Sequence, residues 1–146
     1  MPSFYTNGFS TPAAAAGAPY ATIHTGSTLV AEIREIGIFL NAATSSSIGL
    51  IRAANSPVAS TSQLGQAQDA SRPASTVNVD TAWSTAPTIG SIYLRKVTLP
   101  ATAGAGLIWT WMPDEPLVIS VSSWLVIWNY GGSAGSVLNG YVTWLE

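Results

Sequence analysis

The chain has no cysteine, a single histidine and very little charge. Of its 146 residues five are Lys or Arg and seven are Asp or Glu, 8% in all, where a soluble domain carries roughly 25%. The missing cysteine rules out a disulfide scaffold and a thiolate metal site. The net charge of -2, with no basic run longer than Arg95-Lys96, argues against a nucleic-acid partner, since phosphates are met by clustered Lys and Arg. Long apolar runs are missing too. The longest, Leu117-Val118-Ile119 and Trp124-Leu125-Val126-Ile127-Trp128, fall far short of the ~20 residues of a membrane helix. No basic segment followed by an apolar core opens the chain, and the alanines at 13–16 come late, so no signal peptide is expected.

What is present is 47% hydrophobic and nearly neutral, which excludes a chain held disordered by its charge. A soluble protein so thinly charged is poorly protected against self-association. The expectation is a surface that spends its life against partners.

Residues 1–20 carry Pro2, Pro12, Pro19, Gly8, Gly17 and the alanine run, with Phe4, Tyr5 and Phe9 scattered among them. Such a segment cannot build a core of its own. It reads either as a loose start or as an extended N-terminal arm that packs on a neighbouring subunit. Residues 21–146 form a single domain in which short Val, Ile, Thr, Trp and Tyr runs alternate with Gly, Pro, Ser and Asn clusters. That is the signature of many strands with turns between them. Strands are predicted over 21–25, 29–40, 48–54, 76–81, 92–98, 106–112, 117–121, 124–130 and 137–145. The alternation in 29–40 changes phase, which places a bulge near Glu35 and sets Glu32 beside Arg34. Residues 55–74 and 81–90 read as long loops, the first with room for a short edge strand. No long stretch keeps helical periodicity. The predicted fold class is all-β, a two-sheet antiparallel β-sandwich of jelly-roll type. The last forty residues are apolar on both strand faces, so they must be covered twice, by the second sheet and by the arm or another subunit.

Residues able to carry chemistry are sparse. His24 has no motif around it that would supply a nucleophile and an orienting acid. Glu32 and Glu35 flank Arg34, which favours an ion pair, and Asp114-Glu115 sits in a Pro-bounded turn; neither pair suits the two facing carboxylates of a glycosidase. No calcium loop surrounds Asp114 and Glu115. The glycine-rich segments at 104–106 and 131–135 lack the Lys of a phosphate loop and precede strands. No catalytic residue, cofactor or metal is therefore expected; a small hydrolase is the disfavoured alternative. Of the six tryptophans, Trp109, Trp111, Trp124, Trp128 and Trp144 lie at strand spacing, where core or interface packing is the default. Trp83 falls in a predicted loop and is the best candidate for an exposed contact.

The run from Leu117 to Gly131, the closing Gly140-Tyr141-Val142-Thr143-Trp144-Leu145-Glu146 and the strand Ile33-Arg34-Glu35-Ile36-Gly37-Ile38-Phe39 resemble small virion proteins of tailed bacteriophages. More narrowly, the chain looks like a capsid decoration (cement) or minor head protein with a jelly-roll fold. The resemblance implies a non-enzymatic structural protein, made in the host cytoplasm and carried on the capsid surface, that forms homo-oligomers, trimers in first place, and binds the major capsid protein but neither nucleic acid nor membrane. The contact residues expected on this reading are Phe4, Tyr5, Phe9, Trp83, Trp109, Trp124 and Trp144. The alternative is a phage tail or fibre module that binds host-surface carbohydrate through Trp83 and its loop.

Overall fold

The computed structural model describes residues 3–146, leaving Met1 and Pro2 outside. The described residues contain strands, turns and bends and no helix. The strands are β1 (Phe4–Thr11), β2 (Pro19–His24), β3 (Ala31–Leu40), β4 (Ser46–Arg52), β5 (Val58–Leu64), β6 (Gln66–Ala67), β7 (Asn78–Thr85), β8 (Arg95–Leu99), β9 (Gly106–Thr110), β10 (Leu117–Ile119), β11 (Trp124–Asn129) and β12 (Leu138–Leu145). They form two antiparallel sheets packed face to face. The first runs β10-β3-β12-β1-β6, with β9 also on β3, and the second runs β5-β7-β2-β11-β4-β8. The chain is an all-β sandwich, as its turn-punctuated apolar runs require.

The core between the sheets follows from period-two alternation. Ile33, Ile36, Ile38 and Leu40 of β3 and Leu138, Val142 and Trp144 of β12 face Ile23 of β2, Ile48 and Leu50 of β4 and Leu125 and Ile127 of β11, all buried. Thr143 pairs with Glu35 and Trp144 with Ile33, so the register slips by one at Arg34. This is the bulge expected near Glu35. It brings Arg34 and Glu32 to the same side, where Arg34 Nη2 lies 2.8 Å from Glu32 Oε2.

The segment read as an N-terminal arm does not stand apart. Phe4–Thr11 is β1, paired along its full length with β12 from Phe4↔Leu145 to Thr11↔Leu138 and flanked on its other side by β6. The boundary drawn at residue 20 falls inside β2. Tyr5, Asn7, Phe9 and Thr11 point inward. The inward Asn7 is acceptable because Gln63 answers it: Asn7 Nδ2 donates to Gln63 O and Gln63 Nε2 donates to Asn7 Oδ1, both 2.9 Å. Between β1 and β2 the alanine run is pinned by Asn129, whose Nδ2 donates to Ala14 O at 3.1 Å and Ala15 O at 3.0 Å. At the far end Ser3 and Glu146 exchange backbone hydrogen bonds, both 3.1 Å.

Trp144 is the largest side chain of the fully buried set. It stacks on Tyr5, centroids 6.0 Å apart and planes 15° off parallel. Gly65 makes room for it, since a Cβ there would fall inside the indole. Two predicted loops hold strands: 55–74 contains β5 and β6, and Trp83 lies on β7. Both were hidden because β5 is rich in Ser, Thr and Gln at an exposed edge and β7 runs four residues past the predicted strand end at 81.

Candidate functional site

The outer face of the second sheet carries His24, Trp124 and Trp128 beside the Asp80 carboxylate. β2, β11 and β4 lie side by side, with His24 opposite Trp124, Thr22 opposite Val126, and Val126 opposite Ile51. Alternation sends Leu125 and Ile127 into the core and Trp124, Val126 and Trp128 outward. Val126 and Ile51 are nonetheless buried. The chain itself covers these two residues, while Trp124 and Trp128 on the same face stay half-buried. Residues 86–89 pass by the end of β4, where Ala54 N donates to Thr88 O at 2.7 Å and Asn55 Nδ2 to Ala86 O at 3.0 Å. Gly90, Ser91 and Ile92 then border a shallow groove beside Ile51.

At one side of this face a polar network surrounds Asp80, a buried carboxylate on β7. Its Oδ2 accepts from Thr22 Oγ1 at 2.8 Å and lies 2.7 Å from His24 Nδ1, while its Oδ1 accepts from Ser62 Oγ at 2.5 Å. Trp83 Nε1 donates to Thr22 Oγ1 at 3.0 Å, which ties the indole to the network. His24 stacks on Trp124, centroids 5.8 Å apart, and its Nε2 lies 3.4 Å from Asn78 Nδ2. A buried carboxylate is tolerable only when its lone pairs are answered in this way. The result locks four strands' side chains together. His24 is thus oriented by an acid but meets an amide, not a hydroxyl nucleophile, on its second nitrogen.

On the other side Lys96 of β8 lies 4.7 Å from the Tyr130 ring centre and 5.4 Å from that of Tyr93. Tyr93 and Tyr130 meet edge to face at 5.8 Å. Arg95 lies 5.7 Å above the Trp111 ring. Beside Trp124 a cleft of about 620 Å³ opens, lined among others by Arg52, Ser120 and Ser122. Arg52 Nη1 donates to Val118 O across it at 3.0 Å. Among the described residues no group of three or more His, Cys, Asp or Glu is placed to hold a metal ion.

The Tyr141 ring lies over Gly37, where a Cβ would overlap it, and its hydroxyl donates to Glu35 Oε1. That hydrogen bond, with burial and the carboxylate's charge behind it, pushes the Tyr141 phenol up to about 12. An unfolded tyrosine titrates near ~10. The native contribution of this bond is therefore complete below that value and is lost as pH rises through about 12. Burial also raises the Tyr20 and Tyr130 phenols, so ultraviolet titration is expected to show several late components; Tyr141→Phe removes the one at about 12 and Glu35→Gln moves it to lower pH.

The residues expected to make contacts divide sharply. Tyr5, Phe9 and Trp144 are core residues and offer nothing to a partner. The reason is that β1 belongs to the sheet, so its odd positions face inward with Trp144. Phe4, one residue out of phase, is exposed. Trp83, Trp109 and Trp124 are half-buried, and Trp109 packs on the core from the sheet edge. The two most exposed large apolar side chains, Ile92 at 84% and Met112 at 74%, are not among the expected contacts; Val58 at 53% and Phe4 and Ile108 at 52% follow. Tyr130 was legible, since it continues the Trp124, Val126, Trp128 phase. No protein-family model, curated protein or solved structure matches the chain.

Proposed function

We propose that the chain is a non-enzymatic structural protein of a virion, a decorating protein that works by packing against copies of itself and a major capsid protein. The observation that carries this reading is the pairing of prominent apolar groups, Ile92, Met112 and Ile108, with a chain that has only five basic and seven acidic residues, one of them the buried Asp80, to keep copies apart. The resemblance of the β3 and C-terminal segments to phage head proteins supports it. So does the way the chain steps between its two packed sheets, which suits the jelly roll that the resemblance implies. Attachment goes through faces and edges of the sandwich, because β1 is committed to the fold. An interface of standard size buries roughly 1,600 Å², and repetition over a shell adds avidity. Light scattering on the purified full chain is expected to give a defined oligomer that persists into the low micromolar range. A monomer at every concentration overturns the reading.

A second reading, carbohydrate binding, draws on one specific observation: the cleft that sets the Trp124 indole beside the Arg52 guanidinium and the Ser120 and Ser122 hydroxyls. Aromatic faces pack on sugar rings and such groups supply the hydrogen bonds. A glycan array read alongside tryptophan fluorescence separates the two, since a binder gives a saturable change that Trp124→Ala abolishes.

A further inference from the structure

β9 closes one edge of the first sheet, and its hydrogen bonding can be followed residue by residue. Trp111 N donates to Arg34 O at 2.9 Å and Leu40 N to Ala105 O at 2.8 Å. Between these points the register runs unbroken from Glu35↔Thr110 to Phe39↔Gly106. Antiparallel bonding alternates, so the N–H and C=O groups of Leu107 and Trp109 belong to β3. Those of Gly106, Ile108 and Thr110 point outward, away from the sheet.

Natural sheets guard such rows, and this molecule guards its others. β8 carries Arg95 and Lys96. β5 slips register at three places, and the Gln63 side chain ties it to β1 through Asn7 Oδ1 and Gly8 O, both 2.9 Å. β6 has two residues and β10 three. β9, Gly-Leu-Ile-Trp-Thr, has neither charge, proline nor bulge, and it presents Ile108 half in solvent.

We propose that β9 pairs antiparallel with β9 of a second copy about a twofold axis through Ile108, joining the first sheets of two sandwiches into one. The inference rests on the assembly reading and gives it a contact. The strand suits its own copy. Leu107 comes opposite the partner's Trp109, Gly106 opposite the partner's Thr110 and Ile108 opposite itself, so each outward N–H and C=O is answered and no like charges meet. The same operation at β8 would set Arg95 and Lys96 against a second basic pair. Such a contact is isologous and closes on itself, giving dimers or even-numbered assemblies in place of the trimer that the resemblance implies.

Because the chain has no cysteine, single-cysteine variants test this on a clean background. Across the axis the two Ile108 Cα atoms would stand about 5.5 Å apart, inside the disulfide range of about 4.4–6.8 Å. Ile108→Cys is expected to convert almost entirely to a covalent dimer under mild oxidation. Met112→Cys, the more exposed position, should stay largely uncoupled. Ile108→Pro removes an outward N–H without touching the β3 ladder and is expected to halve the mass seen by light scattering with an unchanged circular dichroism spectrum. If Ile108→Pro fails to fold, the cross-link decides. Equal coupling of both cysteine variants, or an Ile108→Pro variant of undiminished mass, overturns the β9 contact. A wild-type oligomer with an inert Ile108→Cys removes the contact and leaves the assembly reading standing, whereas a wild-type monomer removes both.

Discussion

Removing residues 1–11 is expected to abolish folding, with loss of the cooperative thermal transition and of strand signal in circular dichroism. The physical reason lies in the position of β1. It is an interior strand of the first sheet, bonded to β12 on one side and β6 on the other. Its Tyr5 and Phe9 side chains are buried, each stabilising by about 1.5–3 kcal/mol. The total stability of a domain is only about 5–15 kcal/mol. Deletion also strips β12 of one neighbour, and it leaves the Gln63 side chain and one face of Trp144 without their partners. A dispensable arm predicts the opposite, an intact sandwich that fails only to attach. A truncated chain that melts like the full one would show that β1 contributes no more than such an arm.

Replacement of Trp144 by alanine is the second large effect, expected to cost about 3–5 kcal/mol in urea or thermal unfolding. The indole is fully buried and lies between the Tyr5 ring and the backbone at Gly65. β12 is held on both sides, by β1 in unbroken register and by β3 across its bulge, so the site cannot readily collapse around the missing ring, and collapse is what decides the size of such losses. Trp144→Phe is expected to cost less. It keeps the stack on Tyr5 and deletes an indole N–H that is buried without a hydrogen-bond acceptor among the described residues. A Trp144→Ala variant within 1 kcal/mol of the parent, on the scale of about 3–5 kcal/mol expected, would place the indole outside the core.

These two positions also show why the fold was legible in part. Strands that carry continuous Ile, Leu, Val and Trp, such as β3, β4, β11 and β12, announce themselves by alternation, and the phase change at Arg34–Glu35 marks its bulge in the sequence. β1 does not, because two of its inward positions are Asn7 and Thr11. Their polarity is repaired by Gln63 and by the local bond from Thr11 Oγ1 to Pro12 O at 2.9 Å, partners that no linear pattern reveals. The same limit applies at the candidate surfaces. The two-sided apolarity of β11 was visible, but not that its outward Val126 would be buried within the chain itself. Asp80, which organises that face, looks in sequence like any turn-adjacent acid. It becomes central only when β2 and β5 flank β7 and bring Thr22, His24 and Ser62 to its two oxygens.

The reciprocal bonds between Ser3 and Glu146 put both ends of the described chain at one pole of the sandwich. A short tether across that pair would permit circular permutation, with fresh ends opened in the Gly131–Gly135 turn. Two passenger domains joined at Ser3 and Glu146 would leave from the same place, side by side.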